Sequence, residues 1–252
     1  MAKYGFVIDL SRCMGCNACT EACKVENNTG QGIMWRYVFR LERGKYPNVN
    51  WLFMSRSCMH CDNAPCVKVC PVGARHKRED GFVLTDYNRC IGCRYCEVSC
   101  PYSVNYFNWK KPEKNQYYDW KEGEGSDVYG TGEAQDYSGK NSLPYHNPDH
   151  DKLYGKEKRL VSGGGHYKGV MEKCTWCVHR VDKGLLPACV ANCPTGTLYF
   201  GDLDDPNSEV SKLLGAKQSF RLLEEVGTQP RTYYLNGTVP THEFKKEMSI
   251  PT

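Results

Sequence analysis

Sixteen cysteines among 252 residues set the first limit on how this chain can fold. They sort without remainder into four groups of four, each confined to a short stretch of sequence. The groups are Cys13, Cys16, Cys19 and Cys23; Cys58, Cys61, Cys66 and Cys70; Cys90, Cys93, Cys96 and Cys100; and Cys174, Cys177, Cys189 and Cys193. Two groups follow C-x2-C-x2-C-x3-C, and the other two widen only the middle interval, to four and to eleven residues. Any fold must therefore organise itself around thiols gathered at four places.

Three chemistries compete for thiols at these spacings. Disulfides suit an even cysteine count in a secreted chain, but thiols this close on a tight loop bridge poorly, and no secretory signal precedes them. Structural zinc usually takes two separated C-x2-C pairs and does not require further cysteines at fixed offsets. Intervals of two, two and three residues followed by proline are the bacterial ferredoxin pattern, in which the fourth cysteine ligates the other cluster of a pair. The pattern predicts four [4Fe–4S] clusters.

The offset of the last cysteine in each group has a geometric reason. Three thiolates on one loop can reach three of the four irons of a cubane. The longer last step lets the loop turn into a short helix, so that its cysteine faces a second cluster. Gly15 and Gly92 allow backbone amides to approach the sulfides. Pro71, Pro101 and Pro194 follow the last cysteine of three groups, and proline ends local regularity because it fixes φ.

Charge and hydropathy narrow the classes of partner. The formal charge of +4 counts the thiols as neutral. Four oxidised clusters with thiolate ligands would carry about −2 each, which brings the net charge to about −4. The basic residues therefore balance buried anions, and we expect no nucleic-acid partner. Because no apolar run reaches the roughly 18–20 residues that span a bilayer, and no signal segment precedes Cys13, we expect neither a membrane span nor an export signal on this chain.

The cysteine groups lie within a repeated unit of strand, cluster loop and short helix. GFVIDLSRC (5–13) resembles GFVLTDYNRC (81–90), and CVKVCPVGARHK (66–77) resembles CVANCPTGTLYF (189–200). Each unit corresponds to half a ferredoxin. Four such half-ferredoxin repeats predict an α+β fold built from two bacterial-ferredoxin-like modules.

Three further segments surround the repeats. Residues 33–57 alternate with a period of two and predict a β-hairpin whose aromatic face packs over a module; that face carries Trp35, Tyr37, Phe39 and Leu41. Residues 108–170 form a long polar insertion rich in tyrosine, predicted to cover the body or to contact a partner. Residues 205–252 form a C-terminal extension with a helix at 208–215, ended by Gly215, and a strand at 230–237.

Several motifs together resemble one protein family. The runs PCVKVCPVGA and ACVANCPTGT, the pair CTWC, and GDLDDPNSEVSKLL after the fourth group are similar to the four-cluster iron–sulfur subunit of the complex iron–sulfur molybdoenzymes. The resemblance is to the iron–sulfur subunits of polysulfide and thiosulfate reductases, sulfite dehydrogenases and respiratory arsenate reductases. It covers roughly residues 3–107 and 171–236. The motifs are specific for the type of subunit and carry little information about the substrate.

The resemblance implies which groups share clusters. Group one would pair with group four in a module of residues 1–32 and 171–204, and group two with group three in a module of residues 58–107. The implied ligand sets are Cys13, Cys16, Cys19 and Cys193 (cluster 1); Cys174, Cys177, Cys189 and Cys23 (cluster 2); Cys58, Cys61, Cys66 and Cys100 (cluster 3); and Cys90, Cys93, Cys96 and Cys70 (cluster 4). Some relatives replace the second cysteine of group three and hold a [3Fe–4S] cluster there, whereas this sequence keeps Cys93.

The family also implies a function and partners. Electrons would pass between a molybdopterin-containing catalytic subunit, beside cluster 1, and an integral membrane quinone-reactive subunit, beside cluster 4. The chain would be membrane-associated as part of that complex, on a side that the sequence leaves open, and would carry no catalytic residue. A free-standing polyferredoxin carrier is the alternative, and a regulatory nucleic-acid-binding protein is a third hypothesis.

A few other residues near the groups are candidates for supporting roles. His60 is interpreted as loop packing or a hydrogen bond to sulfur, His76 and His179 as ordinary satisfied histidines, and Trp176 as packing over a cluster. Positive charge near a cluster raises its reduction potential. The basic residues that flank the cysteines are Arg12, Lys24, Lys68, Arg89, Arg94 and Lys173.

Overall fold

The structure is a computed structural model that describes residues 2–27, 29–30, 32–109 and 167–237. Most of the predicted insertion (110–166) and the tail from Thr238 onward lie outside the described residues. The interpretation of the insertion's tyrosines as a cover or partner surface therefore remains a prediction, and so does that of the tail as an extended segment. Tyr167 is the one tyrosine of the insertion among the described residues.

Short strands and shorter helices alternate along the chain, in agreement with the predicted mixed α+β content. The strands are β1 (Tyr4–Asp9), β2 (Arg36–Lys45), β3 (Asn48–Ser57), β4 (Arg75–Lys77), β5 (Val83–Thr85), β6 (Tyr106–Phe107), β7 (Met171–Glu172), β8 (Leu198–Asp202), β9 (Ser219–Phe220) and β10 (Thr232–Leu235). The α-helices are α1 (Ala18–Asn27), α2 (Pro65–Lys68), α3 (Tyr95–Val98), α4 (Val178–Val181), α5 (Ala188–Ala191) and α6 (Glu209–Ala216). Four of the helices contain cysteines of the four groups.

A four-stranded sheet in the order β8-β1-β10-β9 joins the two ends of the described chain. The strand β1 pairs antiparallel with β8 and parallel with β10, with Phe6 opposite Thr232. The segment predicted as an extension thus contributes an interior strand of this sheet. The buried residues Val7, Val210 and Leu235 pack α6 against the sheet.

The helix predicted at 208–215 is α6, which begins one residue later and does not end at Gly215. Its N-cap is Ser208, whose side chain accepts a hydrogen bond from the backbone N–H of Ser211. The helix continues through Ala216, and the backbone N–H of Lys217 closes the last turn on Leu213. Gly215 has open space around its Cα, so nothing forces the chain to turn there.

The hairpin is formed by β2 and β3, with Val38 opposite Ser55. Its base is buried and its far half, from Glu42 to Trp51, is exposed on nearly every residue. Of the predicted aromatic face, Phe39 is buried and Tyr37 is half-buried.

The predicted burial of the aromatic face is confirmed, because Trp35, Phe39 and Leu41 are buried in the same core as cysteines of the groups, but the opposite face is covered as well. Val38 and Ser55, on the opposite face, line a cavity shared with cysteines of groups one and four. Arg36, expected on the polar side, is buried there as well. Both faces are covered at the base, because two parts of the body pack on the hairpin, and alternation therefore does not separate core from solvent.

The two ends of the insertion lie side by side. The strand before it, β6, pairs antiparallel with β7, the strand after it, and Tyr106 lies opposite Glu172. The backbone N–H of Asn108 donates to the carbonyl of Val170 at 3.0 Å, and that of Gly169 donates to Asn108 at 2.8 Å. The insertion therefore leaves and re-enters the body at one point. Among the described residues, no helix has the length and apolar character needed to cross a membrane.

The turn at Gly92 provides a test of this architecture. Gly92 has φ +70°, and a Cβ there would meet the backbone carbonyl of Gly169. Gly73 has a similar φ of +63° but nothing within 4 Å. An alanine at either position costs about 1–2 kcal/mol for the left-handed conformation. We expect Gly92→Ala to lower the thermal unfolding midpoint clearly more than Gly73→Ala, because only the former also displaces backbone. Equal losses in the two variants would contradict the close approach.

Candidate metal centres

Three cavities are each lined by four cysteines. In every case three of the thiols come from one group and the fourth comes from another. The lining cysteines are Cys13, Cys16, Cys19 and Cys193 in the first cavity; Cys58, Cys61, Cys66 and Cys100 in the second; and Cys70, Cys90, Cys93 and Cys96 in the third. The structure thus brings together three of the four sets that the sequence analysis grouped.

The remaining four cysteines lie in the interior. Burial strongly raises the pKa of Cys23, and the neighbouring thiols of Cys174, Cys177 and Cys189 raise it further. The side-chain amide of Asn27 donates to Cys23 Sγ at 3.6 Å and to Cys177 Sγ at 3.7 Å. Cys23 of group one is thereby held among the thiols of group four.

The donor chemistry of these sites fits cubane clusters. All sixteen cysteines carry free thiols. Within the described part of the chain, no three His, Cys, Asp or Glu side chains close around a single ion. A tetrahedral zinc site needs four donors on one ion, whereas a cubane spreads four thiolates over four irons. Four all-sulfur sites with wider spacing therefore suit [4Fe–4S] clusters.

Burial keeps several of these thiols neutral in the absence of iron. It raises the pKa of Cys61 to about 12, and that of Cys66 and of Cys189 to about 11. A coordinated thiol is deprotonated, so loading the sites releases protons. The sites therefore hold neutral thiols until iron binds and converts them to thiolates.

One backbone feature recurs in all four loops. The second residue after the first cysteine of each group has a positive φ: +71° at Gly15, +44° at His60, +70° at Gly92 and +53° at Trp176. Glycine takes this conformation without a steric penalty, but His60 and Trp176 do not. Their two rings stack on each other, with centroids 4.0 Å apart and planes at 23°. The strained position in the group-two loop is therefore packed against the strained position in the group-four loop.

Comparison with known proteins identifies the family. A family model described as a 4Fe-4S dicluster domain matches residues 49–117 and 164–203, and a second model with the same description matches residues 12–74. The chain is 40% identical to a putative dimethyl sulfoxide reductase iron–sulfur subunit of Halobacterium salinarum, over 94% of this chain and 80% of the relative. It is also 40% identical to the arsenate respiratory reductase iron–sulfur subunit of a Shewanella species, over 92% of this chain and 96% of the relative. It is 35% identical to the iron–sulfur cluster-binding subunit of the menaquinone reductase of Nitratidesulfovibrio vulgaris, over 93% of this chain and 89% of the relative.

The chain belongs to the iron–sulfur subunits of the molybdoenzyme reductases. The predicted function in electron transfer and the predicted complement of four [4Fe–4S] clusters are confirmed, since two dicluster matches and sixteen cysteines account for four clusters. The assignment of individual cysteines to individual clusters stays a prediction.

His60 of this iron–sulfur subunit joins two cysteine loops through backbone groups. The ring is fully buried. Its Nδ1 accepts a hydrogen bond from the Val83 N–H at 2.9 Å, so its Nε2–H donates to the Cys174 carbonyl at 2.9 Å. Burial, and then the nearby Lys173, hold the pKa of His60 well below its usual range. Both nitrogens are occupied, so the ring ligates no iron, and its bonds go to backbone rather than to sulfur.

The two other histidines that the sequence analysis singled out, His76 and His179, have ordinary hydrogen-bond partners. His179 Nε2 lies 2.7 Å from the Glu26 carboxylate, whose second oxygen accepts from Arg180 at 3.1 Å. His76 Nδ1 lies 3.2 Å from the carbonyl of Ala74. Neither contact involves a cysteine sulfur. This agrees with the interpretation of both residues as ordinary satisfied histidines.

Most of the basic residues that flank the cysteines in the sequence are not the ones that the structure buries near the sulfurs. Of the flanking residues, Arg94 pairs with Glu97 and is well exposed. Lys173 alone among the six is almost fully buried. Arg36 and Arg75, which the sequence analysis missed, are 1% and 2% exposed. Both lie in strands outside the cysteine motifs, and only the tertiary contacts bring them to the sulfurs.

A substitution at His60 tests its structural role. In His60→Phe the ring volume stays, but the Val83 N–H loses its acceptor at a cost of about 1–3 kcal/mol, while the Cys174 carbonyl loses one of its two donors and keeps Lys173. We expect a lower urea midpoint for loss of the clusters' visible absorbance. His76→Phe, at a half-buried position, serves as the control and should shift the midpoint much less. The proposed bridge is refuted if the two variants are equally stable.

Proposed function

We propose that this chain is the electron-transfer subunit of a respiratory oxidoreductase. It would pass electrons between a molybdopterin-containing catalytic subunit and a quinone-reactive membrane subunit. The observation that carries the proposal is the arrangement of four all-cysteine sites, two of them interior and two reaching the surface. The relatives are named as subunits of dimethyl sulfoxide, arsenate and menaquinone reductases, which favours a subunit over a free-standing carrier.

The proposed clusters take their ligands from two loops each, in two ferredoxin-like modules. Cluster 1 is held by group one with Cys193, and cluster 2 by group four with Cys23. Cluster 3 is held by group two with Cys100, and cluster 4 by group three with Cys70. The cavities and the Asn27 contact described above support these sets. Each bound cluster would accept and release one electron at a time.

The exposure of the cysteines supports an order of the four clusters along the electron-transfer path. The second cysteine of group one, Cys16, is exposed, and so is Cys93 of group three. The cysteines of group four and their neighbour Cys23 are buried, apart from Cys193, and Cys58, Cys61 and Cys66 are buried as well. Clusters 1 and 4 would therefore be the points of entry and exit, with clusters 2 and 3 between them.

Each exposed end carries apolar side chains that suit a protein partner. Met14, beside Cys16, is largely exposed. Around Cys93, Ile91 and Tyr95 are largely exposed and Val98 is 86% exposed. Contiguous apolar surface of this kind marks protein contacts. We assign the group-one end to the catalytic subunit and the group-three end to the membrane subunit, so the chain is held at the membrane through its complex.

Exchanging single ligands tests the proposed cluster assignments. The unaltered chain should bind about sixteen irons, four per cluster. We expect Cys100→Ser to perturb the EPR signal and potential of cluster 3 more than those of cluster 4. Cys96→Ser, in the same loop, should do the reverse, because its sulfur would belong to cluster 4. A Cys100→Ser variant that loses cluster 4 and keeps cluster 3 contradicts the crossed ligand sets.

The two ends can be tested separately by placing a charge in each apolar surface. Val98→Glu should weaken co-purification with the membrane subunit and leave the catalytic subunit bound, because burying a carboxylate at an interface is unfavourable. Met14→Glu should have the opposite effect. Val226→Glu, at an exposed apolar residue outside the cysteine groups, is the control. Isolation of the unaltered chain as a stable monomer after gentle extraction would instead support a free carrier.

A further inference from the structure

We propose that three buried cations, Arg36, Lys173 and Arg75, alternate with the four clusters and set their reduction potentials, with one cation in each gap between neighbouring clusters. The proposal rests on the cluster assignments proposed above. Each cation lies next to groups that belong to two different sites.

Arg36 lies between clusters 1 and 2. It donates from Nη1 to the Ser55 hydroxyl at 2.9 Å and from Nη2 to the Ser57 hydroxyl at 3.1 Å. The Ser55 hydroxyl lies 3.7 Å from Cys19 Sγ, a sulfur of the cluster 1 site. On the other side, its guanidinium lies close enough to the Cys189 thiol, in the cluster 2 site, to interact with it. The guanidinium thus acts on one sulfur from each site.

Arg75 occupies the corresponding place between clusters 3 and 4. Its Nη2 donates to Cys96 Sγ at 3.3 Å, and its backbone N–H donates to Cys70 Sγ at 3.4 Å. Both sulfurs belong to the cluster 4 site. On the other side, the strand β4 that carries Arg75 packs against the helix α2 that carries Cys66. Cys66 belongs to the cluster 3 site.

Lys173 lies at the junction between clusters 2 and 3. It is 1% exposed, and its ammonium donates to the carbonyl of Val83 and, at 2.9 Å, to that of Cys174. Cys174 belongs to the cluster 2 site. Val83, whose carbonyl accepts from Lys173, lines the cavity of the cluster 3 site. The third gap therefore also holds a buried cation.

None of the three cations is held in an ion pair with Asp or Glu in the part of the chain that the structure describes, although the buried Glu172 adjoins Lys173 in the sequence. In the same residues, Arg36 Nε and the Nε and Nη1 atoms of Arg75 are buried without an acceptor. Unpaired N–H groups in the interior cost free energy unless an acceptor is supplied. The sulfides and thiolates of bound clusters are the acceptors that would satisfy them.

Position decides how strongly a charge acts on a cluster. Inside the protein the effective dielectric constant is low, so a buried cation interacts with an anionic cluster far more strongly than a solvated one does. Each added electron makes a cluster more negative, so a cation in the gap stabilises the reduced state and raises the potential. Arg94 follows Cys93 directly in sequence, but it is exposed and paired with Glu97, and solvent screens it.

The test is a potentiometric titration of all four clusters, followed by EPR, in the complete complex carrying one substitution at a time. We expect Arg36→Met to lower the potentials of clusters 1 and 2, Lys173→Met those of clusters 2 and 3, and Arg75→Met those of clusters 3 and 4. The expected size is at least a tenfold change in the ratio of oxidised to reduced cluster, about 59 mV for one electron. Arg36→Lys, Arg75→Lys and Lys173→Arg keep the charge and should largely keep the potentials. Lys68→Gln, at an exposed residue between Cys66 and Cys70, should leave them unchanged.

The outcomes separate this proposal from the proposed function. Iron and sulfide content is measured first, and a shortfall in the unaltered complex would refute the cluster assignments themselves. With full iron content, unshifted potentials, a uniform shift of all four clusters, or an equal shift in Lys68→Gln would overturn the role of the buried cations. If a methionine variant fails to assemble, the charge-keeping variant at the same position decides. A charge-keeping variant that shifts the same pair by tenfold or more shows that charge is not what sets the potential.

Discussion

The exchange of one cysteine between loops is the constraint on which the rest of this structure depends. Cys100 leaves the group-three loop to join the thiols of group two, and Cys70 makes the reverse step. Cys193 and Cys23 tie groups one and four together in the same way, and Asn27 and Cys177 meet across 150 residues of sequence. A loop that lacks its fourth thiol is incomplete until its partner loop is in place. Metal binding of this kind couples the folding of distant segments, because the complete site does not exist in the unfolded chain.

A core built around sulfur leaves other interactions to join its parts. The stacked rings of His60 and Trp176, both in left-handed conformations, lie where the group-two and group-four loops meet. His60 also ties the Cys174 carbonyl to the Val83 N–H, so one side chain links three backbone segments. The strand β10 closes the sheet against β1 from the far end of the chain. These contacts fix the spacing of the sites, and electron transfer depends on that spacing.

Much of the local structure could be predicted from the sequence. The predictions that failed did so for physical reasons. The strands before and after the cysteine groups, the short helices and the α6 segment all follow from spacing and propensity. The covering of the second face of the hairpin did not follow, because alternation predicts one buried face and both sides of the base are buried. The parallel pairing of β10 with β1 and the side-by-side ends of the insertion were also missed. Each depends on contacts between segments far apart in sequence, for which a single sequence gives no local signal.

The sequence by itself determined the cofactors. Sixteen cysteines at ferredoxin intervals specify four clusters, because each iron needs a thiolate and the intervals match what one loop can reach. Only the tertiary structure decided the surroundings of those clusters. It placed Arg36 and Arg75, which lie outside every cysteine motif, against the sulfurs, and it left Arg94, inside a motif, in solvent. Burial and the local dielectric depend on the packing of the whole chain, so a charge next to a ligand in sequence can be irrelevant while a distant one dominates.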